Sequence, residues 1–263
     1  MGRGLALFAF AAVIAFVGAV CGIGGGLFAV PLLHYGFRLA LRTSVATSLC
    51  LVAANAVAST ATELLHESGA LLWEIVGPLV GGALVGAQFG YLLSTRANER
   101  VVKGLFAAAA LAIGLRMLLA MSVQADPTDF LGDYGAARAA GVAGIGILAG
   151  TLSPLLGIGG GMVVVPGLLL AMPEVGGNGA RAASLAVACV TSMRSIHLYA
   201  KERSVEVPIA LWFAGGGLIG ATLGVRFAHL PGVSAIAQRV LGGILLATAL
   251  RFARDAFRRR QIS

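Results

Sequence analysis

Two stretches of this 263-residue chain carry no charged side chain, and they constrain its fold more than any other feature. The first separates Arg3 from Arg38, and the second separates Arg138 from Glu174. An apolar helix crosses the hydrocarbon of a bilayer with about 20 residues, so each stretch is too long for one straight crossing. Charged residues make up 11% of the chain, less than half the ~25% typical of soluble domains. The chain is therefore predicted to be a polytopic membrane protein in which both stretches bend or break.

Each charge-free stretch contains the same glycine-rich break, Gly-Ile-Gly-Gly-Gly. The segment 21–31 aligns with the segment 156–166, and seven of the eleven positions are identical. The similarity continues along the chain through further aligned pairs: Arg42 with Arg181, Cys50 with Cys189, Gly86–Gly90 with Gly220–Gly224, and Lys103 with Arg239. We conclude that the chain consists of two repeats, 1–125 and 136–263, joined by a polar linker at 126–135. A basic tail ends the second repeat.

Apolar segments follow in the same order in both repeats, and all are predicted to be helical. They are 5–33, 43–62, 71–94 and 101–121 in the first repeat, and 136–172, 182–200, 207–228 and 233–253 in the second. If the two glycine segments cross the membrane like the others, lysine and arginine divide 11 to 8 between the two faces. If they enter and return, the division is 14 to 5, with net charges of +10 on the face of the termini and −2 opposite. The positive-inside rule favours re-entrant glycine segments and cytoplasmic termini.

Three crossings in a repeat, an odd number, place the second repeat upside down relative to the first. The predicted fold is therefore an all-α, multi-pass membrane protein with two inverted repeats. Each repeat has a re-entrant or broken glycine-rich helix followed by three transmembrane helices. A bacterial inner membrane, with the termini in the cytoplasm, is the expected location.

The breaks predict an anion-binding site. Glycine permits positive φ, and a helix that starts at membrane depth presents unpaired N–H groups and the positive end of its dipole. If half-helices start near Gly25 and Gly160, these ends converge. The predicted substrate-binding residues are the break glycines and nearby polar residues: Gly24, Gly25, Gly26, Gly159, Gly160, Gly161, Thr47, Ser48, Asn55, Gln88, Ser153, Thr191, Ser192 and Arg194. Each hydroxyl could instead bond its own helix or a neighbouring helix.

A second set of glycines has four-residue spacing, which is typical of close helix packing rather than of a site. It comprises Gly82, Gly86 and Gly90 in one repeat and Gly216, Gly220 and Gly224 in the other.

Several function classes are excluded. No buried acid–base pair, nucleophile or metal-ligand cluster is visible, so neither an enzyme nor a cofactor or metal site is predicted. The net charge of +8 lies between apolar segments and in the tail, which indicates contact with membrane lipid rather than with nucleic acid. All carboxylates, including Glu63, Glu67 and Glu74, are expected at or beyond segment ends. A buried proton relay is therefore not predicted, and an uncoupled anion pathway favours export.

Each repeat carries a Gly-Ile-Gly-Gly-Gly-x4-Pro motif, which ends at Pro31 or Pro166, and a Gly-Ala-x-x-Gly in its third segment. With these motifs the chain resembles the sulfite exporter TauE/SafE family, also called the toluene sulfonate uptake permease family. The resemblance covers about residues 5–253. It implies a transporter of sulfite, sulfonates such as sulfoacetate, or related organosulfur anions. The family commonly carries a Thr-Ser pair after the first break, matched by Thr47-Ser48. The aligned positions of the second repeat are Ala186 and Val187, which argues against a twofold-symmetric hydroxyl pocket.

Our leading interpretation is a membrane transporter, an exporter of such anions that works by alternating access at a central site between the two broken helices. The alternative is a membrane scaffold or assembly factor in which the glycines only pack helices and the basic tail recruits a partner. The expected partners are a small anionic substrate and membrane lipid, and a homodimer is left open.

Overall fold

A computed structural model of the chain describes residues 2–65, 72–119, 135–202, 204–228, 243 and 246–255. Within these ranges the secondary structure is helical, as the sequence predicts. The helices of the first repeat are α1 (Gly2–Cys21), α2 (Gly26–Pro31, extended by a π-helical turn Leu32–Gly36), α3 (Leu41–Leu65), α4 (Trp73–Arg96) and α5 (Glu99–Leu119). Those of the second are α6 (Ala136–Leu156), α7 (Gly161–Ala171), a 3-10 turn Pro173–Val175, α8 (Gly176–Ala200) and α9 (Val207–Ala228). A further helical segment, 246–255, lies in the predicted last crossing.

Five of the described helices are long and apolar enough to cross a bilayer: α1, α3, α4, α6 and α9. The pair formed by α7 and the segment Pro173–Ala200 also passes this test, but it bends by 112°. The predicted linker lies almost wholly outside the described residues, and so do much of the segment 233–253 and the arginines 258–260 of the tail.

Both glycine segments are helical hairpins. In the second repeat α7 folds back along α6. Gly167 of α7 lies against Ile145 of α6, since a Cβ on Gly167 would be 2.8 Å from Ile145 Cγ2. Further along the same hairpin, Arg138 Nη1 donates to Glu174 Oε1 at 3.1 Å. In the first repeat Leu7 of α1 and Leu33 of the returning segment share one buried cluster. Each segment therefore turns at its glycines and folds back on itself, which is the shape expected of a re-entrant segment.

The glycines with four-residue spacing pack helices against each other, as predicted. Each would place a Cβ within 2.0–2.4 Å of a backbone oxygen of the facing helix. Gly82, Gly86 and Gly90 of α4 face α6 in this way, and Gly216, Gly220 and Gly224 of α9 face α1. In both interfaces the helix formed by the third apolar segment of one repeat, α4 or α9, packs on the glycine hairpin of the other repeat. The two repeats are thereby interlocked along two equivalent seams.

Helices α3 and α8 form an antiparallel pair at the centre of the molecule. Arg42, at the start of α3, pairs with Glu202 just beyond the end of α8, with 2.5 Å between Nη2 and Oε2. At the other end Glu63 of α3 pairs with Arg181 of α8. A topology in which every segment crosses would place the partners of each pair on opposite membrane faces. Three crossings per repeat, as in the predicted inverted repeats, place both partners of each ion pair on one face.

Candidate functional site

The two glycine breaks meet tip to tip in the interior. A Cβ on Gly26 would lie 2.0 Å from the carbonyl oxygen of Gly157 and 2.8 Å from Ile158 Cα. Reciprocally, a Cβ on Gly161 would lie 2.8 Å from the carbonyl oxygen of Gly22. The backbone of the first break is therefore in contact with the backbone of the second. Only glycine allows this approach at both places.

The turn in each break depends on residues in the left-handed region. Gly24 and Gly25 have φ values of 76° and 83°, and their counterparts Gly159 and Gly160 have 77° and 78°. L-residues with a side chain avoid this region at a cost of about 1–2 kcal/mol each. The repetition of the same backbone conformation in both repeats confirms that the motif encodes one structure twice.

Helices α2 and α7 start in the protein interior without a cap. Their N-cap residues, Gly25 and Gly160, are buried, and within the described ranges neither helix has a side-chain cap. The first N–H groups of a helix have no intrahelical acceptor, and a buried N–H without a partner costs free energy. The two tips therefore offer unsatisfied donors and two positive dipole ends in one place.

Hydroxyl groups cover the carbonyl oxygens of the breaks. Ser48 Oγ of α3 donates to the oxygen of Gly157 at 3.0 Å, and Ser184 Oγ of α8 donates to the oxygen of Gly22 at 2.7 Å. Thr191 Oγ1 lies 2.9 Å from the oxygen of Gly159. These three side chains are fully buried. The carbonyl oxygens of Gly22, Gly157 and Gly159 thus each accept a hydrogen bond from a buried hydroxyl.

The serine pair corrects the expected asymmetry of the hydroxyls. The sequence alignment places Ser184 opposite Val45, three residues before Ser48. Residues three apart lie on the same helix face, one turn from each other, so both serines reach equivalent carbonyls. Sequence reasoning missed Ser184 because the alignment that pairs Arg42 with Arg181 pairs Ser184 with Val45. The serine that is equivalent in function, Ser48, lies one helical turn further on.

Two predicted residues have buried polar atoms without a hydrogen-bond partner in the described part of the chain. They are Asn55 Nδ2 and Ser153 Oγ, and both residues are fully buried. Asn55 Nδ2 lies 3.6 Å from the position that a Cβ on Gly25 would take, so it is beside the first tip. Its carbonyl oxygen Oδ1 accepts a hydrogen bond from Ser59 at 3.1 Å. Ser153 precedes the second break by one helical turn.

The other predicted polar residues bond elsewhere. Thr47 Oγ1 accepts from the backbone N–H of Glu206 at 3.2 Å, and Ser192 donates to the backbone of its own helix at Ala188. Arg194 Nη2 donates to Gln88 Oε1 at 2.9 Å, between α8 and α4. These contacts satisfy the side chains away from the tips. The structure thus brings ten of the fourteen predicted residues together: Gly24, Gly25, Gly26, Gly159, Gly160, Gly161, Ser48, Asn55, Ser153 and Thr191.

The expectation that no carboxylate is buried is wrong for Glu63. Helix α3 continues to Leu65, and Glu63 is only 4% exposed. Its partner Arg181 is 6% exposed and belongs to the same interior region. Sequence reasoning missed this pair because each member stands near the end of an apolar segment, where a charge is ordinarily solvated.

Comparison with known proteins agrees with this architecture. The family model described as "Sulfite exporter TauE/SafE" matches residues 7–153 and again residues 142–263. The chain belongs to this family. The two matches overlap at residues 142–153, and together they take in both glycine hairpins and the α3–α8 pair. No solved structure matches the chain.

Curated relatives of this chain are named as membrane transporters. A protein of Xylella fastidiosa named "Probable membrane transporter protein" is 29% identical over 245 residues, which cover 90% of each chain. A similarly named protein of Methanocaldococcus jannaschii is 26% identical and covers 81% of this chain and 82% of its own. MamO of Paramagnetospirillum magneticum, also named a probable membrane transporter, is 37% identical over 38% of this chain. The TauE/SafE chain described here is thus a membrane transporter.

Proposed function

We propose that this transporter exports a small sulfur-containing anion, such as sulfite or a sulfonate, by alternating access. The substrate binds between the N-terminal tips of α2 and α7, and one repeat moves against the other to expose it on each face in turn. The observation that carries the proposal is the meeting of two buried, uncapped helix starts at the centre of the molecule.

The electrostatics of the tips favour an anion over a cation. The N–H groups at the start of a helix donate to oxygen atoms, and hydrogen bonds to a charged acceptor contribute about 1.5–3 kcal/mol each. The carbonyl oxygens that could repel an anion are bonded by Ser48, Ser184 and Thr191. A sulfite or sulfonate group has three oxygens that can accept from both tips at once.

Two further polar groups support a ligand at the tips. The amide of Asn55 can donate through Nδ2, and the hydroxyl of Ser153 can donate through Oγ. Buried polar side chains are normally hydrogen-bonded, so these two atoms are suited to an occupant with acceptor oxygens. Neither carries charge, which keeps binding weak enough for release.

The direction of transport is proposed from energetics. In a cell that is negative inside, one negative charge moves outward with a gain of about 2.3 kcal/mol per 100 mV. Glu63, the buried carboxylate that the sequence did not predict, is paired with Arg181 rather than left as an isolated proton carrier. Export thus requires no coupling ion.

The test is flux in liposomes that contain the purified protein. Sulfite and sulfoacetate are loaded inside, and their release is followed under an imposed membrane potential. Wild type is expected to release at least one of them, and Gly25→Val and Gly160→Val are expected to abolish release. Gly81→Val is the matched control, since nothing lies within 4 Å of its Cβ position. Folded wild type that moves neither anion would refute the proposal in favour of a scaffold role.

A further inference from the structure

Two equivalent arginine–glutamate pairs join the ends of the α3–α8 core. The alignment that matches Arg42 with Arg181 also matches Glu63 with Glu202, because both matches have an offset of 139 residues. Arg42 pairs with Glu202, and Arg181 pairs with Glu63. Each pair thus takes one residue from each repeat, and the inverted repeat places the pairs on opposite sides of the central site.

The equivalent pairs differ in burial. The side chains of Arg42 and Glu202 are 45% and 32% exposed, whereas those of Arg181 and Glu63 are 7% and 1% exposed. A cavity of about 250 Å³ opens beside Arg42 and reaches Val45 and Leu155, next to the second break. A cavity therefore approaches the second break from the Arg42 end, whereas the pair at the other end is buried among the described residues.

Arg181 lies directly against the first break. Its Cγ is 2.7 Å from the position that a Cβ on Gly22 would take, so the missing side chain of Gly22 makes room for the arginine stem. One turn further along α8, Ser184 bonds the carbonyl of Gly22. The stem of Arg181 is thereby fixed beside Gly22, the first glycine of the break.

One nitrogen of this buried guanidinium has no hydrogen-bond acceptor among the described residues. Nη2 donates to Glu63 Oε1, while Nη1 is buried and has no hydrogen-bond partner in the described part of the chain. Guanidinium has five N–H donors in a planar fork that matches the oxygens of an oxyanion. A buried, charged donor without an acceptor is the kind of group that an anionic ligand satisfies.

We propose that Arg181 is a second anion-binding position of the transporter, located between the tips and the membrane face at which α3 ends. This inference rests on the proposed function. In this position Arg181 Nη1 donates a hydrogen bond to an oxygen of sulfite or of a sulfonate group as the anion passes the first break. Arg42 is its equivalent on the opposite face.

Glu63 acts as a positioning residue in this arrangement. It holds Nη2 and neutralises the arginine while the position is empty, since an unpaired buried charge is strongly destabilising. The substrate therefore meets a neutral pair with free donors rather than a bare cation. Binding is then weak enough for the anion to leave.

The experiment removes both charges together. Single neutral variants leave one uncompensated buried charge and endanger folding, so the informative protein is the double variant Arg181→Gln/Glu63→Gln. We expect it to remain folded, with an increase in KM for sulfite export of at least about ten-fold. A pair that serves only structure predicts an unchanged KM in this folded double variant, and that result overturns the inference.

Two further variants keep the test decisive. Arg181→Lys retains the ion pair but loses the planar fork, and it is expected to raise the KM for sulfite with little change in thermal stability. If the double variant does not fold, this variant decides, and an unchanged KM then refutes the role of Arg181. Arg138→Gln/Glu174→Gln removes an exposed pair within one hairpin and is expected to leave KM unchanged. If wild type exports no sulfur anion, the proposed function itself fails, an outcome distinct from wild-type export with an unaffected variant.

Discussion

A single methyl group at Gly26 tests whether the glycine tips bind substrate or only pack. In Gly26→Ala the new Cβ would lie 2.0 Å from the carbonyl oxygen of Gly157, where about 3.4 Å is an ordinary contact. The neighbours are backbone, so they do not rotate away, and the tips must separate by about 1.4 Å. Overpacking of this kind costs about 1–3 kcal/mol of stability.

The same separation has a specific effect on binding. N–H to oxygen hydrogen bonds need about 2.7–3.2 Å, so an anion held by one tip would lose the donors of the other. Each lost charge-assisted bond weakens binding by about 1.5–3 kcal/mol, which is about ten-fold or more in affinity. Gly161→Ala should act in the same direction but less strongly, because its Cβ would lie 2.7–2.8 Å from its nearest neighbours.

The control has the same steric clash in a different place. A Cβ on Gly86 would lie 2.1 Å from the oxygen of Ile147, on the seam between α4 and α6. Gly86→Ala should lower thermal stability about as much as Gly26→Ala, while leaving the KM of the folded protein unchanged. Thermal unfolding in detergent and sulfite flux in liposomes separate the two effects. A folded Gly26→Ala protein with wild-type KM would show that the tips do not bind the substrate.

Two further predictions concern stability and topology. Ser48→Ala and Ser184→Ala should each destabilise the fold by about 1–3 kcal/mol in thermal unfolding, because each leaves a buried carbonyl without its donor. Ser192→Ala is the control. It should change stability by less than about 0.5 kcal/mol, since the Ser192 hydroxyl bonds its own helix. In a chain whose natural cysteines are replaced by alanine, Arg42→Cys and Glu202→Cys should react with a membrane-impermeant maleimide from one face, and Arg138→Cys and Glu174→Cys from the other. Labelling of Arg42→Cys and Glu202→Cys from opposite faces contradicts the re-entrant topology, because only a topology in which every segment crosses separates these two residues.

The parts of the fold that repeat in the sequence were predictable from it. A duplicated glycine run reports the same backbone turn twice, and charge counting distinguishes a hairpin from a crossing because lysine and arginine sort by membrane face. Four-residue glycine spacing likewise reports a helix face, and Gly86 and Gly220 both lie against a facing backbone. These are local or compositional signals, which need no knowledge of which helices meet.

The partners of single polar side chains were not predictable in the same way. Gln88 and Arg194 have the polarity expected of a site, yet they bond each other because α4 and α8 happen to adjoin there. Glu63 lies one residue beyond the predicted segment 43–62 and is nevertheless buried, because Arg181 of the other repeat compensates its charge. Such contacts depend on the relative placement of helices about 120 residues apart, and a single sequence does not encode that placement locally.

If the transporter works by the alternating access proposed above, the unequal burial of its two equivalent ion pairs lets the two states differ little in free energy. Burying an arginine–glutamate pair requires desolvation of both charges, which is expensive unless the geometry is good. In an inverted repeat, the movement that uncovers Arg181 and Glu63 at one end covers Arg42 and Glu202 at the other. The desolvation cost is then transferred between equivalent pairs rather than added, so the two states can lie within a few kcal/mol of each other. Sequence differences between the halves, such as Ser184 opposite Val45, set the remaining difference and hence which face the empty transporter presents.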